Sequence, residues 1–453
     1  MSLAKTYKTF YLAGIGGIGM SALARYFHTQ KKNVLGYDKT MTKLTKTLAS
    51  EGIKINYADE ISPEIRSLKK KETLVVFTPA IKDLEILNHF KEQGFCVEKR
   101  AKVLGDLSSQ STCFAVAGTH GKTTASSILS HLCKEAGLPF SCFLGGISEN
   151  LGSNFFSQGD EIMVVEADEY DRSFLHLHPS WGIITSTDAD HLDIYGSKGE
   201  IEKGFEEFAS LVKNTSQLFI KKGLKINRRA KTYAVNEEAD FFSKDIVLKG
   251  SGVSFNFYDN KEKTTFHWDI PGVHNVENAT AVIALLRSYG IEYGILQRGL
   301  EKFKGIKRRY TKHTFENGKI YIDDYAHHPT ELNAVIDSIK TFYPQKKLLV
   351  VFQPHLFSRT RDFAEKFAQS LSKANILILL EIYAARELQK DYEGITSSWL
   401  LEKIPIRDKK KTNLTRAIEE IKKYDFDILL TAGAGDIDTL SDPITEWLKD
   451  GKA

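Results

Sequence analysis

Two glycine-rich loops constrain the fold of this chain more than any other feature. The first reads G-I-G-G-I-G over residues 14–19, and the second reads G-T-H-G-K-T-T over residues 118–124. Each loop follows a short apolar run and leads into a helix-like stretch. Glycines let the backbone approach a phosphate closely, and a helix N-terminus supplies unpaired N–H groups with partial positive charge. The sequence therefore predicts two phosphate-binding strand–loop–helix units.

The first loop has the spacing of a dinucleotide-binding turn. A strand over 9–13 precedes it, a helix over 20–28 follows it, and Asp38 comes after the second strand. Taken alone, this pattern suggests a nicotinamide dinucleotide, with a tight glycine turn that binds nothing as the alternative. The candidate ligands of a diphosphate are Asp38 and the loop residues Gly14, Ile15, Gly16, Gly17, Ile18 and Gly19.

The second loop is a shortened form of the nucleotide-triphosphate loop, because Val116 stands where the usual pattern has its first glycine. Backbone N–H groups and the Lys122 ammonium would converge on the β- and γ-phosphates, and the Thr123 hydroxyl would bind Mg²⁺. The candidate ATP-binding residues here are Gly118, Thr119, His120, Gly121, Lys122, Thr123 and Thr124. A dehydrogenase does not need this loop and a simple ATPase does not need the first one, so the pair favours a synthetase.

The whole chain predicts α/β architecture. Short apolar runs alternate with amphipathic stretches of helix length, which is typical of largely parallel sheets. At 453 residues the chain is too long for one ordinary core. A new strand starts after residue 108, and a basic turn, G-I-K-R-R-Y, precedes the last block. We expect three domains, namely a Rossmann-like domain over 1–108, a central P-loop ATP-binding α/β domain over 109–307 and a C-terminal Rossmann-like domain over 308–453.

Composition excludes several classes of protein. Lys and Arg number 62 against 58 Asp and Glu, which gives no reason to expect a nucleic acid or a membrane surface as partner. We find no apolar run of about 18 residues and no signal-peptide core at the start. The four cysteines lack C-x-x-C spacing, so neither disulfides nor zinc are expected. We expect a cytoplasmic protein, either monomer or homodimer.

Acidic residues and a histidine follow two further apolar runs. Glu166 ends I-M-V-V-E, with Asp168 and Glu169 next to it, and His191 lies in D-A-D-H-L-D after the following run. Oxygen ligands of this kind hold the Mg²⁺ that offsets charge on a transferred phosphoryl group. His191 would bind a second ion or orient a phosphate, whereas alone it would more often be structural.

Two asparagines, Asn275 and Asn278, lie near the expected start of a helix in H-N-V-E-N-A-T-A. One interpretation makes them helix caps, since asparagine is favoured there. The other gives Asn275 or Asn278 hydrogen bonds to a nucleotide base.

Eight segments in order resemble those of the Mur ligases of peptidoglycan precursor synthesis, and the resemblance covers essentially the whole chain. It is closest to the member that joins L-alanine to UDP-N-acetylmuramate. The fold that it implies has a first domain for the UDP diphosphate, a central domain for MgATP and a third for the amino acid. The segments are G-I-G-G-I-G-M-S-A-L-A, A-G-T-H-G-K-T-T, E-A-D-E-Y-D-R-S-F-L-H-L-H-P, D-A-D-H-L-D, H-N-V-E-N-A-T-A, D-D-Y-A-H-H-P-T-E, Q-P-H-L-F-S-R-T-R-D and G-A-G-D-I.

The resemblance also implies residue roles. It gives the UDP diphosphate to residues 14–19, the β- and γ-phosphates to Lys122, one Mg²⁺ to Thr123 and Glu166 and a second to His191. Further ATP contacts would come from Asn275 to the adenine, and from Asp324 with Arg308 or Arg309.

The implied chemistry activates the lactyl carboxylate of the sugar as an acyl phosphate, which the amine of L-alanine then attacks. His327 or His328 is the candidate base, unless either caps the helix that Pro329 opens. Tyr325, His355 and Arg359 would bind the amino acid, the arginine through its carboxylate.

The chain departs from the family pattern at two points. Many members carry an arginine where this chain has Leu356, so Arg361 or Arg386 becomes a candidate substitute. We find no equivalent of the carbamylated lysine that several members use to bridge their metal ions. Glu206 either takes its place or is an exposed helix residue. Rival interpretations are a ligase that attaches a whole tripeptide to the same sugar, a NAD-dependent dehydrogenase and a nucleotide-regulated binding protein.

Overall fold

The computed structural model describes residues 3–79, 81, 83–188, 195, 197–249, 252–260, 262–385 and 387–450. The chain forms two compact units. The first comprises Met1–Val247, Val253–Asp269 and Asn275–Lys304, and the second comprises Leu248–Gly252, Ile270–His274 and Gly305–Ala453. Among the described residues, every helix is too short or too polar to span a bilayer.

The first sheet has five parallel strands in the order β3-β2-β1-β4-β5. Its central strands are buried on both faces, as the continuous apolar sequences T-F-Y-L-A and T-L-V-V-F require. The strands are β1 Thr9–Ala13, β2 Asn33–Tyr37, β3 Lys54–Asn56, β4 Thr73–Phe77 and β5 Cys96–Lys99. The helices are α1 Leu3–Thr6, α2 Ile18–Thr29, α3 Lys43–Ser50, α4 Pro63–Arg66, α5 Glu85–Glu92 and α6 Arg100–Ser108.

The second sheet has ten strands in the order β15-β14-β13-β12-β11-β10-β6-β9-β7-β8. Strands β10, β6, β9 and β7 are parallel neighbours, while hairpins form both edges. The strands are β6 Thr112–Ala117, β7 Phe140–Ser148, β8 Ser153–Ser157, β9 Ile162–Ala167, β10 Trp181–Ile184, β11 Leu218–Lys221, β12 Lys231–Val235, β13 Phe241–Lys249, β14 Gly252–Tyr258 and β15 Lys263–Trp268. The helices are α7 Lys122–Glu135, α8 Lys198–Leu211, α9 Val273–Tyr289 and α10 Tyr293–Glu301.

The third sheet belongs to the second unit and has six strands in the order β16-β17-β21-β18-β19-β20. Only β16, at one edge, is antiparallel to its neighbour among the strand pairs described. The strands are β16 Thr311–Thr314, β17 Ile320–Asp324, β18 Leu348–Phe352, β19 Ile376–Leu379, β20 Lys409–Lys411 and β21 Ile428–Ala432. The helices are α11 Pro329–Phe342, α12 Phe357–Asp362, α13 Ala364–Leu371, α14 Ser397–Lys403, α15 Ala417–Ile421 and α16 Ser441–Lys449.

Helices cover both faces of the third sheet. Leu332 of α11, Phe367 of α13 and Leu400 of α14 pack in one core, whereas Ile421 of α15 and Ile444 of α16 pack in the other. This is the doubly wound arrangement, in which ligands bind at the carboxyl ends of the strands. The predicted α/β class with largely parallel sheets is confirmed.

Candidate functional site

The first glycine loop joins β1 to α2, as the sequence predicts. Gly14 has a φ of +82°, a conformation that side chains other than glycine rarely adopt. The N–H of Gly16 donates to Oδ2 of Asp38 over 2.8 Å, and a Cβ on Gly16 would lie 2.7 Å from the same oxygen. Asp38 therefore holds the loop itself in shape, and its contact with a sugar nucleotide stays a prediction.

The last glycine of this loop, Gly19, lies against a side chain for which the sequence predicted no role. A Cβ on Gly19 would lie 2.6 Å from Nη1 of Arg100, the first residue of α6. The same guanidinium donates to Oδ2 of Asp168 over 3.4 Å. No motif in the sequence marks Arg100, because it is far from the loop along the chain and becomes its neighbour only through the fold.

The second glycine loop joins β6 to α7. Gly118 and Gly121 have φ values of +141° and +83°. A Cβ on Gly118 would collide with Thr185, and one on Gly121 would lie 2.5 Å from Oδ1 of Asn278. The fold thus requires both glycines, and it brings the amide of Asn278 beside the loop.

Neither asparagine caps a helix. The helix begins at Val273, so Asn275 and Asn278 lie inside α9, where they are 6% and 7% exposed. The capping interpretation was wrong because the helix starts earlier than the sequence suggested. Contact of Asn275 with adenine stays a prediction.

Lys122 points back along its own loop to an acidic partner. Its Nζ lies 2.7 Å from Oε2 of Glu169, which is 2% exposed, and it also donates to the carbonyl of Gly118. Burial opposes the charge on Lys122, but the carboxylates of Glu169, Glu166 and Asp168 outweigh it, so the pKa of the ammonium is raised. The ammonium is therefore charged and held against its own loop.

Glu166 lies directly beside Thr123. The Thr123 hydroxyl donates to Oε1 of Glu166 over 3.0 Å, and the N–H of Gly145 donates to Oε2 over 2.8 Å. Loss of water raises the pKa of Glu166, with Lys122 acting in the opposite direction. A hydroxyl and a carboxylate held together form an oxygen donor set that suits Mg²⁺. Within the described residues, no group of three His, Cys, Asp or Glu side chains forms a metal cluster.

The chain after β10 is tied to the second loop. The Ser186 hydroxyl accepts from the N–H of His120 over 2.7 Å and lies 2.9 Å from the Thr119 hydroxyl, which in turn accepts from the N–H of Asp188. No motif in the sequence marks Ser186 for this contact. His191 lies outside the described residues, as do the other residues of its D-A-D-H-L-D segment after Asp188.

In the second unit, two arginines enclose a tyrosine ring at the end of β17. The guanidinium carbons of Arg308 and Arg309 lie 5.3 and 5.2 Å from the centre of the Tyr325 ring. Asp324, next to it, accepts from the N–H groups of Tyr310 and Ala326, each over 2.7 Å. Burial raises the pKa of Asp324 to about 6, against the opposing effect of Arg309.

The predicted amino-acid-binding residues form a continuous chain of contacts. The ring of His327 lies 5.3 Å from that of Tyr325 and 5.8 Å from that of His355. Nη1 of Arg359 lies 3.3 Å from Nδ1 of His355. Nδ1 of His327 lies 3.0 Å from the carbonyl oxygen of Tyr325 and 3.2 Å from Oε2 of Glu331. Because both of these oxygens are acceptors, Nδ1 is the nitrogen that donates, and in the neutral form of the ring the lone pair is then on Nε2.

His328 takes the other role that the sequence left open. It is the N-cap of α11, where its Nδ1 accepts from the N–H of Thr330 over 3.3 Å, and Glu331 completes a capping box. His328 is 4% exposed, and its ring packs edge-on against Phe363.

The structure describes most of the residues at the two departures from the family pattern. Leu356 is buried, precedes α12 and has a φ of +69°, while Arg361 pairs with Asp362 and has a side chain 52% exposed. Arg386 lies outside the described residues. Glu206 is an exposed residue of α8 that accepts from the N–H of Asn227 over 3.4 Å.

Comparisons with known proteins agree with this architecture. Three family models match in succession: Mur ligase family, catalytic domain, over residues 9–112; Mur ligase middle domain over 116–286; and Mur ligase, glutamate ligase domain, over 308–435. A UDP-N-acetylmuramate–L-alanine ligase of Christiangramia forsetii is 48% identical over 434 residues, covering 95% of each chain.

Solved structures give the same result. The crystal structure of a UDP-N-acetylmuramate-alanine ligase, MurC, from Thermotoga maritima matches with a TM-score of 0.83 and 26% identity, covering 98% of this chain and 100% of that one. A murein peptide ligase from Psychrobacter arcticus shares the fold, with a TM-score of 0.74 at 21% identity over 97% and 98% of the two chains.

Proposed function

The chain belongs to the Mur ligase family, and from this premise we propose that it joins the amine of L-alanine to the lactyl carboxylate of UDP-N-acetylmuramate, converting ATP into ADP and phosphate. The main support for the proposal is the 48% identity, over 95% of both chains, to a relative that is named UDP-N-acetylmuramate–L-alanine ligase. The reaction is a step of peptidoglycan synthesis.

The two glycine loops support a division of the phosphate-bearing substrates. The UDP diphosphate is assigned to the loop between β1 and α2, where Asp38 fixes the backbone of Gly16. ATP is assigned to the loop before α7, whose Lys122 ammonium is charged and directed along the loop. A ligase with two phosphorylated substrates has a use for both loops, because each loop can bind the phosphates of one substrate.

Activation of the carboxylate comes first. A carboxylate resists attack by an amine because its charge repels the nucleophile, so it must take the γ-phosphoryl group of ATP and become an acyl phosphate. Lys122 would stabilise the charge that spreads over the transferred group. Thr123 and Glu166 would hold Mg²⁺, which supplies further electrostatic stabilisation when bound. A second ion at His191 is part of the proposal, on the strength of the family resemblance.

Residues of the second unit would bind the amino acid and remove a proton from its ammonium group. Alanine carries an ammonium group at neutral pH and must lose a proton before it attacks. His327 is the proposed base, because Glu331 and the Tyr325 carbonyl oxygen hold its Nδ1 and leave the lone pair on Nε2. Arg359, beside His355, would bind the alanine carboxylate. The amine attacks the acyl phosphate, phosphate leaves, and an amide remains.

We also propose that the three domains span residues 1–108, 109–307 and 308–453, and that the reaction takes place in the cytoplasm. The four cysteines are unpaired, which fits a reducing compartment. The proposed partners are the three small-molecule substrates, and the proposal applies equally to a monomer and to a homodimer.

Phosphate release tests the proposal directly. Purified protein is supplied with UDP-N-acetylmuramate and MgATP, and release is followed with L-alanine, with glycine, or with the L-alanyl-γ-D-glutamyl-meso-diaminopimelate tripeptide. We expect turnover with L-alanine. Turnover with the tripeptide alone would replace this assignment by that of the peptide-attaching ligase, whose fold the chain shares.

A further inference from the structure

Arg100 occupies an unusual electrostatic position. Its guanidinium lies against Gly19 in the first turn of α2, so close that a Cβ on this glycine would meet Nη1 at 2.6 Å and the guanidinium carbon at 3.1 Å. The first turn of a helix carries partial positive charge, which favours anions and disfavours cations. A guanidinium at this end of α2 is therefore unfavourable by itself, and an anion beside both groups would reverse the balance.

The acidic partner of Arg100 satisfies only part of its hydrogen-bonding capacity. Among the residues that the structure describes, the guanidinium donates to Oδ2 of Asp168 alone, over a long 3.4 Å. Its side chain is 18% exposed, whereas that of Asp168 is 41% exposed. A guanidinium has five N–H groups, and their fork geometry matches the oxygens of a phosphate. The hydrogen bond to Asp168 uses only one of these five donors.

Asp168 connects this arginine with the second loop. It lies in the turn after β9, between Glu166, which accepts from Thr123, and Glu169, which pairs with Lys122. Its other oxygen, Oδ1, accepts from the N–H of Tyr170 over 3.1 Å, so the carboxylate is fixed in orientation. One fixed carboxylate on the turn beside the ATP loop therefore holds a cation over the UDP loop.

We propose that Arg100 is a further diphosphate-binding residue for the UDP-sugar and that Asp168 is its positioning residue. The identity of the ligand rests on the proposed function. Arg100 adds a full positive charge beside the backbone N–H groups of Ile18 and Gly19, since those of Gly16 and Gly17 already donate to Asp38 and to the Gly14 carbonyl. Asp168 holds the guanidinium side-on to the loop before the diphosphate binds. Binding of the diphosphate at the first glycine loop thereby depends on Asp168, which lies on the turn whose neighbouring residues contact the second glycine loop.

Binding of UDP and of uridine to the unliganded protein provides the test. We expect Arg100→Ala to weaken UDP binding by about tenfold to a hundredfold, as the loss of a charge-assisted phosphate contact does. Uridine has no phosphate, so its affinity should stay within about twofold. A variant that had merely unfolded would lose both ligands. Arg100→Lys keeps the charge without the fork and should fall between the two.

Steady-state kinetics extend the test to the substrates. Arg100→Ala should raise KM for UDP-N-acetylmuramate and leave KM for ATP within about twofold. Asp168→Asn should also weaken UDP binding, and the double variant should lose less than the sum of the two single effects because the residues act together. Lys99→Ala is the matched control, since Lys99 pairs with Asp171 on the same turn over 3.2 Å, whereas the atoms nearest to an added Cβ on Gly19 all belong to Arg100. It should leave UDP binding unchanged.

The outcomes distinguish a failure of the inference on Arg100 from a failure of the proposed function. If wild-type protein binds UDP and Arg100→Ala binds it equally well, the inference on Arg100 is overturned and the proposed function stands. If wild-type protein does not bind UDP at all, both fail. Equal losses for UDP and uridine would assign Arg100 to the fold and contradict its contact with the diphosphate.

Discussion

Lys122 and Glu169 form a buried ion pair at the second glycine loop, with 2.7 Å between Nζ and Oε2 and side chains that are 13% and 2% exposed. Removing one partner of such a pair leaves the other charge uncompensated, which destabilises a protein by about 3–5 kcal/mol. In the proposed function, ATP phosphates bring negative charge to the same ammonium. The pair therefore links stability to nucleotide binding.

Glu169→Gln tests this link. We expect the variant to unfold at a lower temperature than wild type without nucleotide, and to gain more than wild type does when MgATP is added, because the phosphates replace the lost carboxylate. Thermal unfolding with and without MgATP measures both effects. Glu200→Gln is the control, since Glu200 forms an exposed pair with Lys203. Equal nucleotide-induced shifts in wild type and Glu169→Gln would contradict the prediction.

Gly145→Ala should impair catalysis through Glu166. The N–H of Gly145 donates to Oε2 of Glu166, and a Cβ at this position would collide with that carboxylate. Displacing the proposed magnesium ligand should lower kcat by about tenfold to a thousandfold. Gly199→Ala, in α8 where the nearest atom to an added Cβ is 3.9 Å away, should leave kcat unchanged. Wild-type kcat in Gly145→Ala would show that Glu166 is not placed for this role.

Asn154 should be important for the stability of the first unit. It is fully buried in β8, donates to the carbonyl of Ile18 over 2.6 Å and to the Ser21 hydroxyl over 2.9 Å, and accepts from Arg25. Asn154→Ala leaves the buried Arg25 and the first turn of α2 without these partners. We expect a loss of about 2–4 kcal/mol in the free energy of unfolding, measured with denaturant.

The control for Asn154 is an exposed ion pair. Lys8, whose side chain is 74% exposed, pairs with Glu72 over 3.4 Å. Lys8→Ala should leave the unfolding midpoint within experimental error of wild type. If Asn154→Ala behaves like Lys8→Ala, the buried network does not stabilise the unit.

Asp324 should give the second unit a characteristic pH dependence. Its pKa rises from an ordinary 3.8 to about 6 on burial, so between these values the folded state binds more protons than the unfolded state. Stability from this group therefore falls as pH rises from about 4 to 6, by up to about 3 kcal/mol. Asp324→Asn does not titrate. The difference in unfolding midpoint between wild type and Asp324→Asn should change over this range, whereas parallel curves would contradict the raised pKa.

The sequence predicted much of the fold because parallel strands of a buried sheet are continuous apolar runs. Strand β1 begins and ends at the residues that the apolar pattern indicated. The start of α9 at Val273 was not predicted, because no Ser, Thr, Asp or Asn stands directly before it, and Asn275 and Asn278 were therefore left as either helix caps or contacts of a base.

The glycine loops were also predictable, because their motifs are local. Contacts between distant segments were not. Arg100 is 81 positions from Gly19 and 68 from Asp168, as their residue numbers give, and neither pairing leaves a trace in spacing or composition. Likewise, the position of Nδ1 of His327 between two acceptors depends on the first turn of α11, so the sequence could not separate His327 from His328.

Competition between two nucleotides at the wild-type chain tests most directly whether the two loops hold different phosphorylated molecules. UDP is titrated into wild type and into Lys122→Ala, each without and with a non-hydrolysable ATP analogue and Mg²⁺ at a concentration that saturates wild type. The account predicts that UDP binds in all four cases and that the analogue binds only to wild type. Displacement of UDP by the analogue, or loss of UDP binding in Lys122→Ala, would contradict it.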